Sequence, residues 1–100
     1  MGKVQLKIPP FFAYIMDPRA SDWFILEKEL GKETTLFDLL TDLARSNSEF
    51  REVVFNPDKR TVSDQINIIL NKTLLNFPGE IDTKLNDGDV VTLLPVYSGG

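Results

Sequence analysis

The chain has 100 residues, 42% of them hydrophobic and 26% charged, which is the length of one domain with an ordinary globular balance. Lys and Arg number 11 against 15 Asp and Glu, a net charge of −4, which disfavours nucleic-acid binding and suits a partner with a basic surface. With no cysteine and no histidine, the chain lacks disulfides, a thiolate nucleophile, the commonest general base and the commonest metal ligands, so an autonomous catalytic site is hard to build.

Lys3-Val-Gln-Leu-Lys-Ile8 places Val4, Leu6 and Ile8 on one face and Lys3, Gln5 and Lys7 on the other, the period of a half-buried strand that Pro9-Pro10 closes. No apolar leader segment precedes it, no run approaches the roughly 18 apolar residues of a membrane span, and Gly2 lacks the downstream Ser or Thr of a myristoylation signal. A soluble cytoplasmic protein without membrane contact is therefore expected. Phe11, Phe12, Tyr14, Ile15, Met16 and Trp23 surround the turn signal Asp17-Pro18 in neither period. Two readings stand: the aromatics fold back over the core as a long loop, or they form a lip that binds a partner.

Phe24 to Leu30 reads as a second strand, joined by Gly31-Lys32 to a helix. Thr35 is the expected N-cap, with Asp38 in the capping-box position. Leu36, Leu39, Leu40 and Leu43 form an apolar stripe that packs on a sheet, and the helix fades at Ser46-Asn47-Ser48. Residues 49–64, with Phe50, Val53, Val54, Phe55 and the turn Asn56-Pro57-Asp58, support no assignment. Ile66 to Asn71 is a third strand with Ile66, Ile68 and Leu70 on one face, followed by the tight connection Asn71-Lys72 and a short strand at Leu74-Leu75. Residues 76–85 read as a loop or a 3₁₀ turn. After the turn Asn86-Asp87-Gly88 comes the last strand, 90–95, in which Val91 and Leu93 face opposite to Thr92 and Leu94.

Two strands, one helix, then two or three strands with an apolar terminal one is an α+β order. A mixed sheet wrapping one main helix, with the first and last strands as its central pair, is the β-grasp (ubiquitin-like) arrangement. A ferredoxin-like fold needs a second helix, for which only residues 47–56 leave room. The domain covers 1–94 and the tail 95–100: Pro95 cannot donate to a ladder, and six extended residues span roughly 20 Å. Gly99 and Gly100, lacking Cβ, suit a channel too narrow for other residues, and the group on offer is the α-carboxylate. A frayed end is the plainer reading of two terminal glycines. Their place just beyond a core strand, with no Ser- or Lys-rich linker, argues for function.

Leu85-Asn-Asp-Gly-Asp-Val-Val, the following Pro95, the terminal Gly-Gly and the preceding Asn71-Lys-Thr-Leu-Leu resemble the sulfur-carrier family of ubiquitin-like proteins, most closely the small subunit of molybdopterin synthase. The strong resemblance covers about residues 66–100, the front half agreeing in its order of elements; residues 9–23 and the polar segment before Ile66 are longer than in short bacterial members. The resemblance implies that a ubiquitin-activating-like adenylating enzyme consumes ATP to activate Gly100, that a sulfur donor displaces AMP, and that the resulting thiocarboxylate is delivered to the large subunit of molybdopterin synthase, with no cofactor bound by this chain. Gly100 is then the reacting residue, Gly99 gives clearance, and Pro95, Val96, Tyr97 and Ser98 shape the tail. With no histidine to activate it, Ser98 is a poor candidate nucleophile. The resemblance also implies that Leu74 and Leu94 match positions that in the family contribute to an exposed apolar patch beside the tail, against which stands the ordinariness of a single exposed leucine. Rival readings are a protein modifier joined to lysines through Gly100, a carrier for tRNA thiolation or thiamine synthesis, and a plain interaction domain.

Overall fold

A computed structural model describes residues 2–96. Strand β1 (Lys3–Ile8) buries Val4, Leu6 and Ile8, as its alternation requires. It pairs antiparallel with β2 (Phe24–Glu29), Leu6 opposite Leu26 and Ile8 opposite Phe24. Helix α1 (Pro10–Ala13) lies between them. The two prolines end the strand, but Pro10 opens the helical turn, because its fixed φ and missing N–H cost nothing at a first helical position. The expected long loop is thus partly helical, and its apolar residues divide: Phe12, Ala13 and Ile15 are buried, whereas Phe11 and Tyr14 are exposed.

Helix α2 (Leu36–Ser46) starts at the expected cap. The Asp38 amide donates to Thr35 Oγ1 at 3.2 Å, and the Thr35 amide donates to Asp38 Oδ2 at 2.9 Å, so Asp completes the box that more often uses Glu. The segment 76–85 supplies the remaining acceptors. The Leu36 and Phe37 amides donate to the Thr83 and Ile81 carbonyls at 2.8 and 2.9 Å, which satisfies helix-end donors that no side chain reaches. Leu36, Leu39, Leu40 and Leu43 are all buried.

Residues 48–62, unassigned from sequence, hold a second helix and a small hairpin. Asn47 ends α2 and caps α3 (Ser48–Val53), accepting from the Phe50 amide at 3.0 Å and donating to the Ile15 carbonyl at 2.8 Å. Strands β3 (Phe55–Asn56) and β4 (Thr61–Val62) form a separate two-stranded ladder. Arg60 pins the hairpin to the core: its guanidinium lies 4.2 Å from the centre of the Phe37 ring and donates to both Asp82 oxygens at 2.8 and 2.9 Å. A helix does occupy the room that a ferredoxin-like fold needs. It follows α2 directly, however, and contributes no second crossover between sheet strands.

Strand β5 (Ile66–Leu70) turns through Asn71-Lys72 into β6 (Thr73–Leu74), one residue earlier than expected, which leaves Leu75 buried and Leu74 outside. Strand β7 (Val90–Pro95) closes a five-stranded sheet in the order β2-β1-β7-β5-β6. It runs parallel to β1, Leu6 beside Val91, and antiparallel to β5, Ile68 beside Leu93. The first and last strands are the central pair, with α2 packed on one face: the architecture is the β-grasp fold.

Candidate docking face and tail exit

The helices cover one side of the sheet and leave the other to solvent. Partners in register point to the same side, so a row crosses all five strands on the open face: Ile25, Lys7, Thr92, Ile69 and Leu74. Leu94 belongs to the same face one step further toward the tail, opposite Asn67. The alternation expected for the last strand is observed: Val91 and Leu93 are fully buried, while Thr92 and Leu94 are half-buried on the open side. Leu74 is 51% exposed, and Ile69 lies between Leu74 and Thr92 in the register. Leu74, Ile69 and Leu94 therefore share one apolar area; Ile69 was not singled out by sequence reasoning, although its place one residue from Ile68 in an alternating strand marks it as facing outward.

The chain leaves the sheet at the edge of this area. Pro95 still stands in register opposite Ile66, and the Val96 amide donates to the Gln65 carbonyl at 2.9 Å, so the ladder extends one bond beyond the proline that was expected to end it. Pro95 and Val96 are held by the sheet. Tyr97, Ser98, Gly99 and Gly100 lie outside the described residues. Because β1 and β7 are parallel, the segment that follows β1 emerges at the same end as the tail. Phe11, 70% exposed, and Tyr14 stand on that segment, and Trp23, 45% exposed, precedes β2 beside Ile25. The lip reading thus applies to some of these side chains and the core reading to others. Trp23, Ile25, Lys7 and Thr92 line a hollow of about 290 Å³ on the open face. Sequence reasoning missed it, because β2 is an edge strand whose two faces carry similar residues, Phe24 and Leu26 inward, Ile25 outward.

A polar lock holds the other end of β7. Asn71, at φ +57°, receives the Val90 amide on Oδ1 at 3.0 Å, donates its own amide to the Val90 carbonyl at 2.7 Å, and donates Nδ2 to Asp89 Oδ1 at 3.1 Å. Gly88 turns at φ +86°, a region that glycine occupies without penalty.

A profile of the ThiS family matches residues 22–100. The chain belongs to the ThiS family. This reaches well in front of residue 66, to include β2 and α2. The ThiS-family chain accordingly belongs with the ubiquitin-like sulfur carriers. No curated protein sequence matches it. Solved structures share its fold. Small archaeal modifier protein 1 of Haloferax volcanii is 18% identical over 97% of this chain and 100% of its own, with a TM-score of 0.72. The Pyrococcus furiosus protein described as molybdopterin converting factor, subunit 1, is 24% identical over 97% and 100%, with a TM-score of 0.67. The matching chain of the Amycolatopsis orientalis BexX/CysO complex is 20% identical over 97% and 99%, with a TM-score of 0.69. Among the described residues, no helix is long and apolar enough to cross a membrane.

Proposed function

We propose that this ThiS-family protein is a cytoplasmic sulfur carrier for molybdopterin synthesis, working through a thiocarboxylate at Gly100. The observation that carries the reading is the placement of β7: a strand paired on both sides in the middle of the sheet ends at Pro95, and the family match continues in sequence to Gly99-Gly100. A rigid sheet thereby presents a carboxylate on a short tether to the active site of another protein.

The chemistry follows from that carboxylate. A free carboxylate is a poor electrophile, so a ubiquitin-activating-like adenylating enzyme joins a Gly100 oxygen to the α-phosphorus of ATP and releases pyrophosphate. Hydrosulfide supplied by a donor then attacks the acyl carbon, a C–S bond forms, AMP departs with the electron pair of the C–O bond it held, and loss of the sulfur's proton leaves a thiocarboxylate. Its sulfur is a better nucleophile than the oxygen it replaces, and the large subunit of molybdopterin synthase receives it. The domain contributes tethering and docking, with Leu74, Ile69 and Leu94 as the apolar area beside the tail. Proteins of this fold include one found in the BexX/CysO complex, which supports recognition by a partner protein.

The modifier reading is the competing one, because small archaeal modifier protein 1 has the same fold and the same tail serves both chemistries. Intact mass spectrometry on protein purified from its own cells, without oxygen or added thiols, separates the two. A species heavier by the difference between one sulfur and one oxygen, localised to Gly100, is the expected result. Gly100 found in isopeptide linkage to lysines of other proteins, with no sulfur-bearing species, would replace the carrier by the modifier.

A further inference from the structure

We infer that the hollow formed by Trp23, Ile25, Lys7 and Thr92 is a second docking subsite, separate from the Leu74 and Leu94 side, which receives an apolar side chain and a neighbouring carboxylate from the adenylating enzyme. The inference rests on the proposed activation of Gly100. Its first support is position: Thr92 lies three residues before Pro95, roughly 10 Å along the strand from the tail exit. Any enzyme that draws the tail into its active site covers this ground. The adenylating enzyme is the one that every branch of the proposed chemistry requires, whatever the final acceptor.

The second support is chemistry. Ile25 is 54% exposed and Trp23 is exposed beside it, an arrangement that neither the fold nor the core explains. Lys7, half-buried, lines the same hollow between Ile25 and Thr92, its uncharged neighbours in register, and the nearest carboxylate on that face by register is Glu27, opposite Gln5. Lys7 forms no ion pair among the described residues, in contrast to Lys28, which reaches Asp42 at 2.7 Å on the helix side. Further along the same face, Lys3 stands opposite Glu29. At the tail end, then, a cation lines an apolar hollow and forms no ion pair among the described residues. The complement is an anionic group on an apolar segment, and tryptophan is the side chain most able to anchor such a contact. On the far side of Thr92 the register sets Ile69, Leu74, Leu94 and Asn67, none of them charged, so the two sides ask for different complements.

Trp23 is the single tryptophan, so 5-fluorotryptophan labelling gives one fluorine resonance that reports on the hollow. The carrier is titrated with the purified adenylating enzyme of the same cells, and ATP–pyrophosphate exchange is measured as a function of carrier concentration for the native chain, Trp23→Ala, Lys7→Met and Lys7→Glu. The resonance is expected to shift with the enzyme. Trp23→Ala and Lys7→Glu are expected to raise KM roughly tenfold or more at unchanged kcat, with Lys7→Met intermediate. All three are surface changes, and an unchanged urea midpoint confirms folding. KM values within about twofold of native for every variant would overturn the subsite while leaving carrier activation intact. A resonance that moves with carrier concentration alone, or with phosphatidylglycerol vesicles, and not with enzyme, would assign the hollow to self-association or to a lipid surface and overturn it. Absence of exchange by the native chain would remove the activation reading itself, and the subsite with it.

Discussion

At φ +57°, Asn71 sits in backbone space that Asn tolerates and Ala resists, and its side chain bonds both Val90 and Asp89. Replacing it removes two hydrogen bonds and adds strain. Asn71→Ala is expected to lower unfolding stability by about 2–3 kcal/mol, and Asn71→Gly, which keeps the turn conformation, by less; urea denaturation of the pair separates the two contributions. Gly2 is a second position where the fold has no slack: a Cβ there would stand 2.5 Å from the Asp87 Cβ, whose carboxylate accepts the Lys3 amide at 2.9 Å. Gly2→Ala is expected to cost about 1–3 kcal/mol in the same assay, through displacement of the turn that leads into β7. Gly100 is the opposite case, since its proposed role is chemical and not structural. Gly100→Val is expected to abolish sulfur loading, read by intact mass, with the urea midpoint unchanged.

Among the elements, α2 shows most directly how local signals became structure. Thr35→Ala removes one half of the capping box and is expected to cost about 1 kcal/mol, while the Ile81 and Thr83 carbonyls go on receiving the Phe37 and Leu36 amides. The strands β1, β2, β5 and β7 and this helix were legible because each is long enough to show its period, and the face assignment of Leu93 and Leu94 followed from parity alone. The pieces that were not legible are short. Helices α1 and α3 have four and six residues, too few for a stripe, and β3 and β4 have two each. They exist because Phe12, Phe50 and Phe55 are buried against the rest of the core and because Asn47 bridges two helices and the Ile15 carbonyl, which are tertiary facts. The candidate site was legible in the same degree: Leu74 and Leu94 could be placed by register and resemblance, whereas the hollow at Trp23 required knowing that β2 lies beside β1 with Ile25 opposite Lys7.

For the molecule as a whole, the parallel central pair decides where the candidate docking face and the tail exit lie. It sets the excursion after β1, the start of β2 and the departing chain at one end of the sheet, and puts the apolar area of Leu74, Ile69 and Leu94 on the face without helices. If the proposed large-subunit partner docks here, replacing Leu74 and Leu94 together by Glu is expected to weaken its binding by tenfold or more, about 1.4 kcal/mol, in a calorimetric titration, with folding unaffected because both side chains lie outside the core. The same arrangement has a mechanical consequence. A pull on the C-terminus acts along β7, which is bonded on one side to β1 and on the other to β5, so the load is shared by two ladders in shear and not peeled from an edge. Under the proposed function, an enzyme that draws the tail into its channel loads the centre of the sheet, and unfolding from this end must begin by extracting that centre.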